Sequence, residues 1–185
     1  MLFNSPFLSL LAIAGLSNAS LIKHKRDTGI SLYAYGSDTN GAPVFYSEGL
    51  AYIGQKGLDD VTRVQTNITF GGDSSDSSVP WPIYANSSTV TFNETLYMYI
   101  LPSSGAFSQV GFATNSSLPD GAVDTGFAWF GTSVAYAASE SDYELMFWGL
   151  NTTTDGVYGL YWNGGAITDG AFPITLKSTP PTQTN

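Results

Sequence analysis

The sequence predicts an all-β domain, an antiparallel β-sandwich or closed barrel of about ten strands. The chain is rich in Val, Ile, Thr, Tyr, Phe and Trp, the residue types that favour strands. Turn residues interrupt it roughly every eight to twelve positions, which is the rhythm of short antiparallel strands. No stretch of helical length carries apolar residues at the three-and-four spacing of a helix face. These observations together favour a single β domain.

The first residues of the chain predict export. An apolar run over 7–16 is shorter than the roughly 20 residues that a membrane span needs, and the small residues Ser17 and Ala19 follow it. We therefore expect a signal peptide over 1–19.

A short propeptide is expected next, over 20–26. It ends in Lys25-Arg26, a dibasic pair that a kexin-type protease would cut. Its removal either completes maturation or switches an activity on, and because seven residues cover little surface, we favour maturation alone. The β domain is then expected over 27–177, and the Pro- and Thr-rich residues 178–185 predict a disordered tail.

Strands are expected wherever β-forming runs lie between turn signals. Ser47-Glu48-Gly49 and Asp155-Gly156 are expected hairpin turns. Pro80 and Pro82 flank Trp81 and predict an edge strand or an extended loop, because proline cannot donate to a ladder. In chain order the expected strands are Ile30–Tyr35, Val44–Tyr46, Leu50–Ile53, Thr62–Phe70, Trp81–Tyr84, Thr89–Leu101, Gly105–Ala113, Gly126–Ala137, Tyr143–Leu150, Val157–Trp162 and Phe172–Lys177.

The clearest alternation runs over Thr89–Leu101. Met98 and Ile100 belong to the apolar parity, whereas Tyr97 and Tyr99 belong to the polar one. This pattern predicts one buried and one wet face. It makes Tyr97 and Tyr99 candidate exposed, ligand-binding aromatics, although a plain cross-strand pair is the alternative. Asn93 fits the polar parity, as a glycan acceptor requires, but Glu94 falls on the apolar parity, so Asn93-Glu94 is either part of the strand or a turn that splits it into two strands.

Charge and missing residue types exclude several functions. Without residues 1–26 the chain keeps three basic residues against fifteen acidic ones, a formal charge of −12. Nucleic acid and anionic membranes are therefore not expected partners. The one histidine, His24, lies in the expected propeptide, and there is no cysteine. This argues against Ser-His-Asp triads, thiol nucleophiles, and zinc or copper sites, which need imidazole or thiolate. No cofactor is expected.

Acidic loop residues could help to hold calcium, but neither candidate group matches the EF-hand pattern, so no metal is predicted. The candidates are Asp73 with Asp76 and Asp120 with Asp124.

N-glycosylation sequons are frequent in the expected domain. An occupied sequon needs an exposed asparagine in a secreted chain, so we expect these positions to mark the surface. They are Asn67, Asn86, Asn93, Asn115 and Asn151.

One segment carries a candidate catalytic chemistry. On a single strand Asp142, Glu144 and Trp148 would share one side. Carboxylates beside a tryptophan suit a sugar cleft, where the ring stacks on the pyranose and a carboxylate attacks or binds it. The string YELMFW resembles the nucleophile strand of glycoside hydrolase family twelve, a β-jelly-roll family of endoglucanases. That resemblance implies Glu144 as nucleophile, with Met146 and Trp148 lining a cleft, but no downstream glutamate follows to serve as the acid.

A second resemblance spans both ends of the expected domain. The opening SLYAYG…GAPVFYSEGLAYIG, over 31–54, and the closing TDGVYGLYWN…PITLKSTPP, over 154–181, are similar to small secreted proteins of filamentous fungi. The resemblance implies a fungal extracellular protein and adds no mechanism.

Three functions remain open at this level. The first is a non-enzymatic secreted protein of the extracellular space or cell wall that binds carbohydrate, with Trp148, Tyr97 and Tyr99 as candidate contacts. The second is a glycoside hydrolase that uses Glu144 and Asp142. The third is an effector-like or structural protein that binds a cell-surface protein.

Overall fold

The computed structural model describes residues 29–72, 76–166 and 168–182, so the expected signal peptide and propeptide lie outside the described residues. The described residues form fourteen antiparallel strands and no helix. The predicted class, an all-β antiparallel fold in a single domain, is confirmed. The strands are β1 Tyr33–Gly36, β2 Ala42–Ser47, β3 Leu50–Ile53, β4 Gln65–Phe70, β5 Pro82–Ala85, β6 Leu96–Tyr99, β7 Phe107–Gln109, β8 Gly111–Ala113, β9 Phe127–Phe130, β10 Ser133–Ser139, β11 Asp142–Glu144, β12 Phe147–Asn151, β13 Tyr158–Asn163 and β14 Ala171–Lys177.

The strands close into a ring. The path β1-β2-β4-β5-β6-β8-β3-β13-β12-β14 returns to its start because β1 also pairs with β14. Pairing of β2 with β3 crosses the ring and divides it into two six-stranded circuits that share this hairpin. Strands β9, β10 and β11 form a small appendage, which joins the ring through the pairing of β10 with β14. Closure leaves few open strand edges.

The shared β2–β3 hairpin turns at Glu48-Gly49, within the predicted turn Ser47-Glu48-Gly49. Both residues have positive φ, 51° and 81°, as a two-residue hairpin loop of type I′ requires. The strain at Glu48 is offset locally, because its carboxylate accepts a hydrogen bond from the backbone N–H of Val64 and its own N–H donates to the Val64 carbonyl.

The β2–β3 hairpin has a core on each side. Val44 and Ile53 face the main core, which is continuous across both circuits. Phe45 and Tyr52 face the other way, stack with ring centroids 5.7 Å apart, and pack with Val157 into a small second cluster. Because side chains alternate along a strand, the hairpin has an inner side that faces the main core and an outer side that is partly covered by the second cluster.

Three predicted strands are each divided in two. The expected strand over 126–137 is the β9–β10 hairpin, turned at Gly131 with φ +64°. The segment over 143–150 breaks between Glu144 and Phe147, and the segment over 105–113 breaks at Val110. Alternation alone does not reveal such breaks, because the residues on both sides remain β-forming.

Pro82 is not on an edge strand, so that alternative of the prediction is wrong. Strand β5 pairs with β4 on one side and with β6 on the other. Proline is tolerated because Pro82 is the first residue of the strand. The residue before it, Trp81, is fully buried and its carbonyl accepts a hydrogen bond from the N–H of Met98.

The alternation around β6 is confirmed, although the strand is shorter than expected. Met98 and Ile100 are fully buried, and Tyr97 and Tyr99 are partly exposed. Strand β6 begins only at Leu96: residues 93–94 form a bend and no strand precedes them over 86–95, so Asn93-Glu94 neither lies on a strand nor splits two.

The start of the expected disordered tail has contacts with the domain. The Tyr35 hydroxyl donates a hydrogen bond to the Thr179 carbonyl at 2.9 Å. Pro181 packs against Gly41 so closely that a Cβ added to Gly41 would be 2.9 Å from the Cβ of Pro181. That residues 178–185 form a disordered tail stays a prediction.

Candidate functional site

Strands β12 and β13 carry aromatic residues on both of their faces. Phe147 pairs with Trp162 on the inner side, where both are buried and their rings meet edge to face at 5.0 Å. One register step away, Trp148 pairs with Tyr161 on the outer side, and both are partly exposed. Trp148 and Tyr161 are therefore direct cross-strand neighbours on the surface.

A third aromatic ring extends this pair. Phe107 on β7 stacks on Tyr161 with centroids 4.5 Å apart and planes only 5° from parallel. Gln109 is the register partner of Tyr161, and its Nε2 donates to the Ala51 carbonyl at 3.0 Å. The stack and the tethered amide hold this part of the surface in one arrangement.

Glycines in the sheet create room for the tyrosines. A Cβ on Gly111 would be 2.4 Å from the Cζ atom of Tyr99, so the Tyr99 ring lies directly over this glycine. A Cβ on Gly159 would be 2.7 Å from the Cε2 atom of Tyr161. Each ring occupies the space that a side chain would take, which is a recognised use of glycine within a strand.

We name as the outer aromatic face Trp148, Tyr161 and Phe107, which adjoin one another, together with Tyr99 and Tyr97 on β6, which pairs with β8. Two of its members were not predicted as site residues, Tyr161 and Phe107. The signal that could have found Tyr161 is the glycine two positions before it in a strand, since such a glycine marks close approach of another group.

Two phenols of this face, those of Tyr99 and Tyr161, have a raised pKa. Burial raises the pKa of Tyr99 above its ordinary value. Burial, together with the nearby Tyr52 phenol, raises the pKa of Tyr161. Both groups therefore remain neutral hydroxyls, able to donate as well as accept hydrogen bonds, at any physiological pH.

The residues of the proposed hydrolase cleft do not lie on one strand. Glu144 ends β11 and is the register partner of Tyr136, whose ring packs on Trp162 on the inner side. Trp148 lies on the outer side of β12. The expectation that Glu144 and Trp148 lie on one strand and share a face is wrong, because the chain leaves β11 after Glu144 and enters a different strand, β12, at Phe147.

Asp142 and Met146 are exposed on either side of Glu144. Asp142 pairs with Ser139 beside a bulge at the tip of the β10–β11 hairpin. A surface hairpin tip is open to solvent, whereas a substrate site is a concave cleft that encloses its ligand.

All five sequon asparagines are exposed, as an acceptor position requires: Asn67, Asn86, Asn93, Asn115 and Asn151. Two of them, separated in sequence, become neighbours, since the Asn86 N–H donates to the Asn67 carbonyl at 2.7 Å. Both line a cavity of about 440 Å³ beside Phe45 and Leu58.

The processing residues Lys25 and Arg26 lie outside the described residues.

No group of three or more His, Cys, Asp or Glu side chains comes together within residues 29–72, 76–166 and 168–182. Of the calcium candidates, Asp73 lies outside these ranges. The same described residues contain no helix of a length and apolarity that would cross a membrane.

No family model, curated protein or solved structure matches the chain. The outer aromatic face is therefore interpreted from its own chemistry.

Proposed function

We propose that the protein is a secreted, glycosylated β-domain protein of the extracellular space or cell wall that binds polysaccharide without catalysis. The observation that carries the proposal is the outer aromatic face, where Trp148, Tyr161 and Phe107 are adjacent and partly exposed. Tryptophan and tyrosine are the residues that most often dominate binding surfaces.

Sugars suit this face because a pyranose has an apolar side of C–H groups and a rim of hydroxyls. An aromatic ring binds the apolar side, and a phenol or amide binds the hydroxyls. Tyr99 and Tyr161 supply neutral phenols beside rings, and Gln109 adds an amide. The face carries no basic side chain, which disfavours anionic polysaccharides and favours neutral ones.

Absence of catalysis is the favoured form of the proposal because of where the carboxylates lie. Glu144 and Trp148 face opposite sides, so a sugar stacked on Trp148 would not present its anomeric carbon to Glu144. A retaining hydrolase needs two carboxyl groups about 5–5.5 Å apart on one cleft.

Secretion and its consequences are part of the proposal. They are supported by the apolar leader, the dibasic pair Lys25-Arg26 and the exposure of the five sequon asparagines within the described residues. Mass spectrometry of the protein from a fungal culture medium should give an N-terminus at Asp27 and a mass that falls on treatment with an endoglycosidase. An N-terminus at Ser20 would refute cleavage after Arg26.

Binding is tested with the secreted protein on a panel of soluble and insoluble neutral polysaccharides, with reducing-sugar release measured in the same samples. Trp148→Ala and Tyr161→Ala should each weaken binding about tenfold or more, a loss of about 1.4 kcal/mol or more, because aromatic residues often dominate binding energy. Phe130→Ala is the matched control, since Phe130 is an exposed aromatic residue on a different part of the surface.

Each outcome is decisive. Binding that is equally strong in wild type and Trp148→Ala would remove the outer aromatic face from the proposal. No binding to any polysaccharide would refute the proposed ligand class. Release of reducing sugar that disappears in Glu144→Gln would replace the binding function with a hydrolase.

A further inference from the structure

Asn67 and Asn86 lie opposite one another on the outer side of the sheet. Ile68 and Ala85 are register partners, and the pairing continues because the Asn86 N–H donates a hydrogen bond to the Asn67 carbonyl at 2.7 Å. On its other side Asn67 is the register partner of Phe45 on β2. Directly opposed residues share a face, with Cβ atoms about 4.5–5.5 Å apart. Phe45, Asn67 and Asn86 therefore form a row of neighbours, in which Asn67 is the middle member.

The middle position restricts where sugars on Asn67 can lie. Phe45 flanks this acceptor on one side and Asn86 on the other. Asn86 is at the end of the row, since it follows β5, which pairs with β6 through Pro82 and Ile83. A glycan on Asn67 is left with two directions, out to solvent or along the strands beside the row.

All three members of the row line the cavity of about 440 Å³. Ligand cavities in proteins are typically about 300–1,000 Å³, so this one has room for a sugar. Phe45 and Leu58 supply apolar surface, and Thr66 and Ser87 supply hydroxyls beside the two asparagine amides. None of the described residues that line it carries a charge. Apolar surface combined with neutral polar groups suits a sugar ring, whereas an ionic ligand would have no counter-charge here.

One wall of this cavity is fixed in place. The Gln65 side chain accepts a hydrogen bond from the Leu58 N–H at 2.8 Å and donates one to the Leu58 carbonyl at 3.0 Å. A second cavity of about 410 Å³ also borders Asn67 and Asn86, but its wall includes Pro180 and Pro181, near the end of the described chain. A fixed wall lowers the entropy cost of binding, which favours the first cavity.

We propose that the N-glycan on Asn67 folds back onto its own protein, with its first sugar in the cavity beside Phe45 and Leu58. The inference rests on the proposed glycosylation of the protein. Asn67 itself lines the cavity, so the glycan starts at the rim. A short tether gives an effective concentration on the order of millimolar, so a contact too weak to hold a free sugar suffices.

The docked sugar would protect the second cluster of the core. Phe45, Tyr52 and Val157 form this cluster, and Leu58 packs against it from the cavity side. A sugar over Leu58 and Phe45 removes more apolar surface from water. It thereby stabilises the outer side of β2 in a chain that has no cysteine and hence no disulfide.

Site-resolved digestion of the folded protein tests the docking. The secreted protein is treated under native conditions with an endoglycosidase that cuts between the first two sugars of an N-glycan, and peptide mass spectrometry follows each site. The glycan on Asn67 should be cut several-fold more slowly than that on Asn115, an exposed acceptor in the turn after β8. The reason is that the enzyme acts only on the undocked fraction. The difference should disappear in glycopeptides released by proteolysis.

Two matched substitutions locate the docked sugar. Leu58→Ala removes the apolar wall and should raise the cleavage rate at Asn67 towards that at Asn115. Gln55→Ala changes an exposed residue of the second cavity and should leave the protection unchanged.

A third substitution separates docking from crowding by a neighbouring glycan. Ser88→Ala destroys the sequon of Asn86 but leaves both asparagines in place. Protection at Asn67 should persist in this variant. Independently, Asn67→Gln should lower the midpoint of thermal unfolding by about 2–4 °C more than Asn115→Gln, because only the first removes a contact with the domain.

The outcomes separate this inference from the proposed glycosylation. Equal cleavage rates at Asn67 and Asn115 in the folded protein, or an unmodified Asn67 beside glycans at other sites, would overturn the docking alone. Absence of glycan from all five sequons would overturn the glycosylation as well. Protection that is lost in Ser88→Ala would identify crowding as its cause, and protection that is lost in Gln55→Ala but kept in Leu58→Ala would assign the sugar to the second cavity. Each of these results contradicts the proposal.

Discussion

Trp148 and Trp162 lie on neighbouring strands and have opposite environments. Trp162 is fully buried, with its ring 5.0 Å from Phe147 and 5.7 Å from Tyr136. Trp148, one register step away, is partly exposed beside Tyr161. The residue type is the same, so the register alone assigns one ring to the core and the other to the surface. The inner and outer aromatic residues should therefore respond very differently to the same substitution.

The largest expected effect is on the inner side. Trp162→Ala should lower the free energy of unfolding by about 3–5 kcal/mol, because it removes a fully buried ring and leaves a cavity. Trp148→Ala should lower it by about 1 kcal/mol or less, since most surface changes are small. Urea unfolding followed by circular dichroism measures both values.

If Trp162→Ala does not fold, Trp162→Phe provides the milder inner variant and should still cost more than Trp148→Phe. Equal losses on the two sides would mean that the outer ring is part of the core, and the comparison would then be wrong.

An intermediate effect is expected where the outer face depends on the sheet beneath it. Gly111→Ala places a methyl group in the space of the Tyr99 ring and should cost about 1–3 kcal/mol, the range for overpacking. In a Tyr99→Ala background the same substitution should cost much less, because the ring that it displaces is gone. Chemical unfolding of the four proteins gives the coupling energy.

Additive losses in this cycle would show that Tyr99 does not rest on Gly111. Polysaccharide binding by Gly111→Ala sharpens the test, since a displaced Tyr99 should weaken binding even where the protein remains folded.

The smallest expected effect is the response to alkaline pH. The pKa values of Tyr99 and Tyr161 are raised by burial in the folded state, so folding favours their protonated form. That contribution is fully present below the unfolded phenol pKa of about 10 and is lost as the pH rises through the folded values. Stability should therefore decline above about pH 10, and less so in the variant with Tyr99→Phe and Tyr161→Phe.

Urea unfolding at pH 8 and at several values up to pH 11.5 compares the two proteins. An identical alkaline decline in wild type and the double variant would exclude these two phenols as its cause.

The class of fold and several local features followed from the sequence. The β-forming composition and turn spacing predicted an antiparallel β domain. Glu48-Gly49 predicted the hairpin between β2 and β3, and the alternation ending in Met98 and Ile100 predicted which side of β6 is buried. These features are local, because a turn or a strand face depends on residues within a few positions.

Only the tertiary structure decided which aromatic residues meet. Phe107 and Tyr161 are 54 positions apart and stack because β7 pairs with β13, and Tyr99 fits over Gly111 because β6 pairs with β8. The same holds for Glu144 and Trp148. Strand alternation predicted that they share one side of a strand, whereas the break at 145–146 puts them on opposite sides. Alternation gives each strand two faces, but strand order and register determine which faces adjoin, and they depend on contacts between distant parts of the chain.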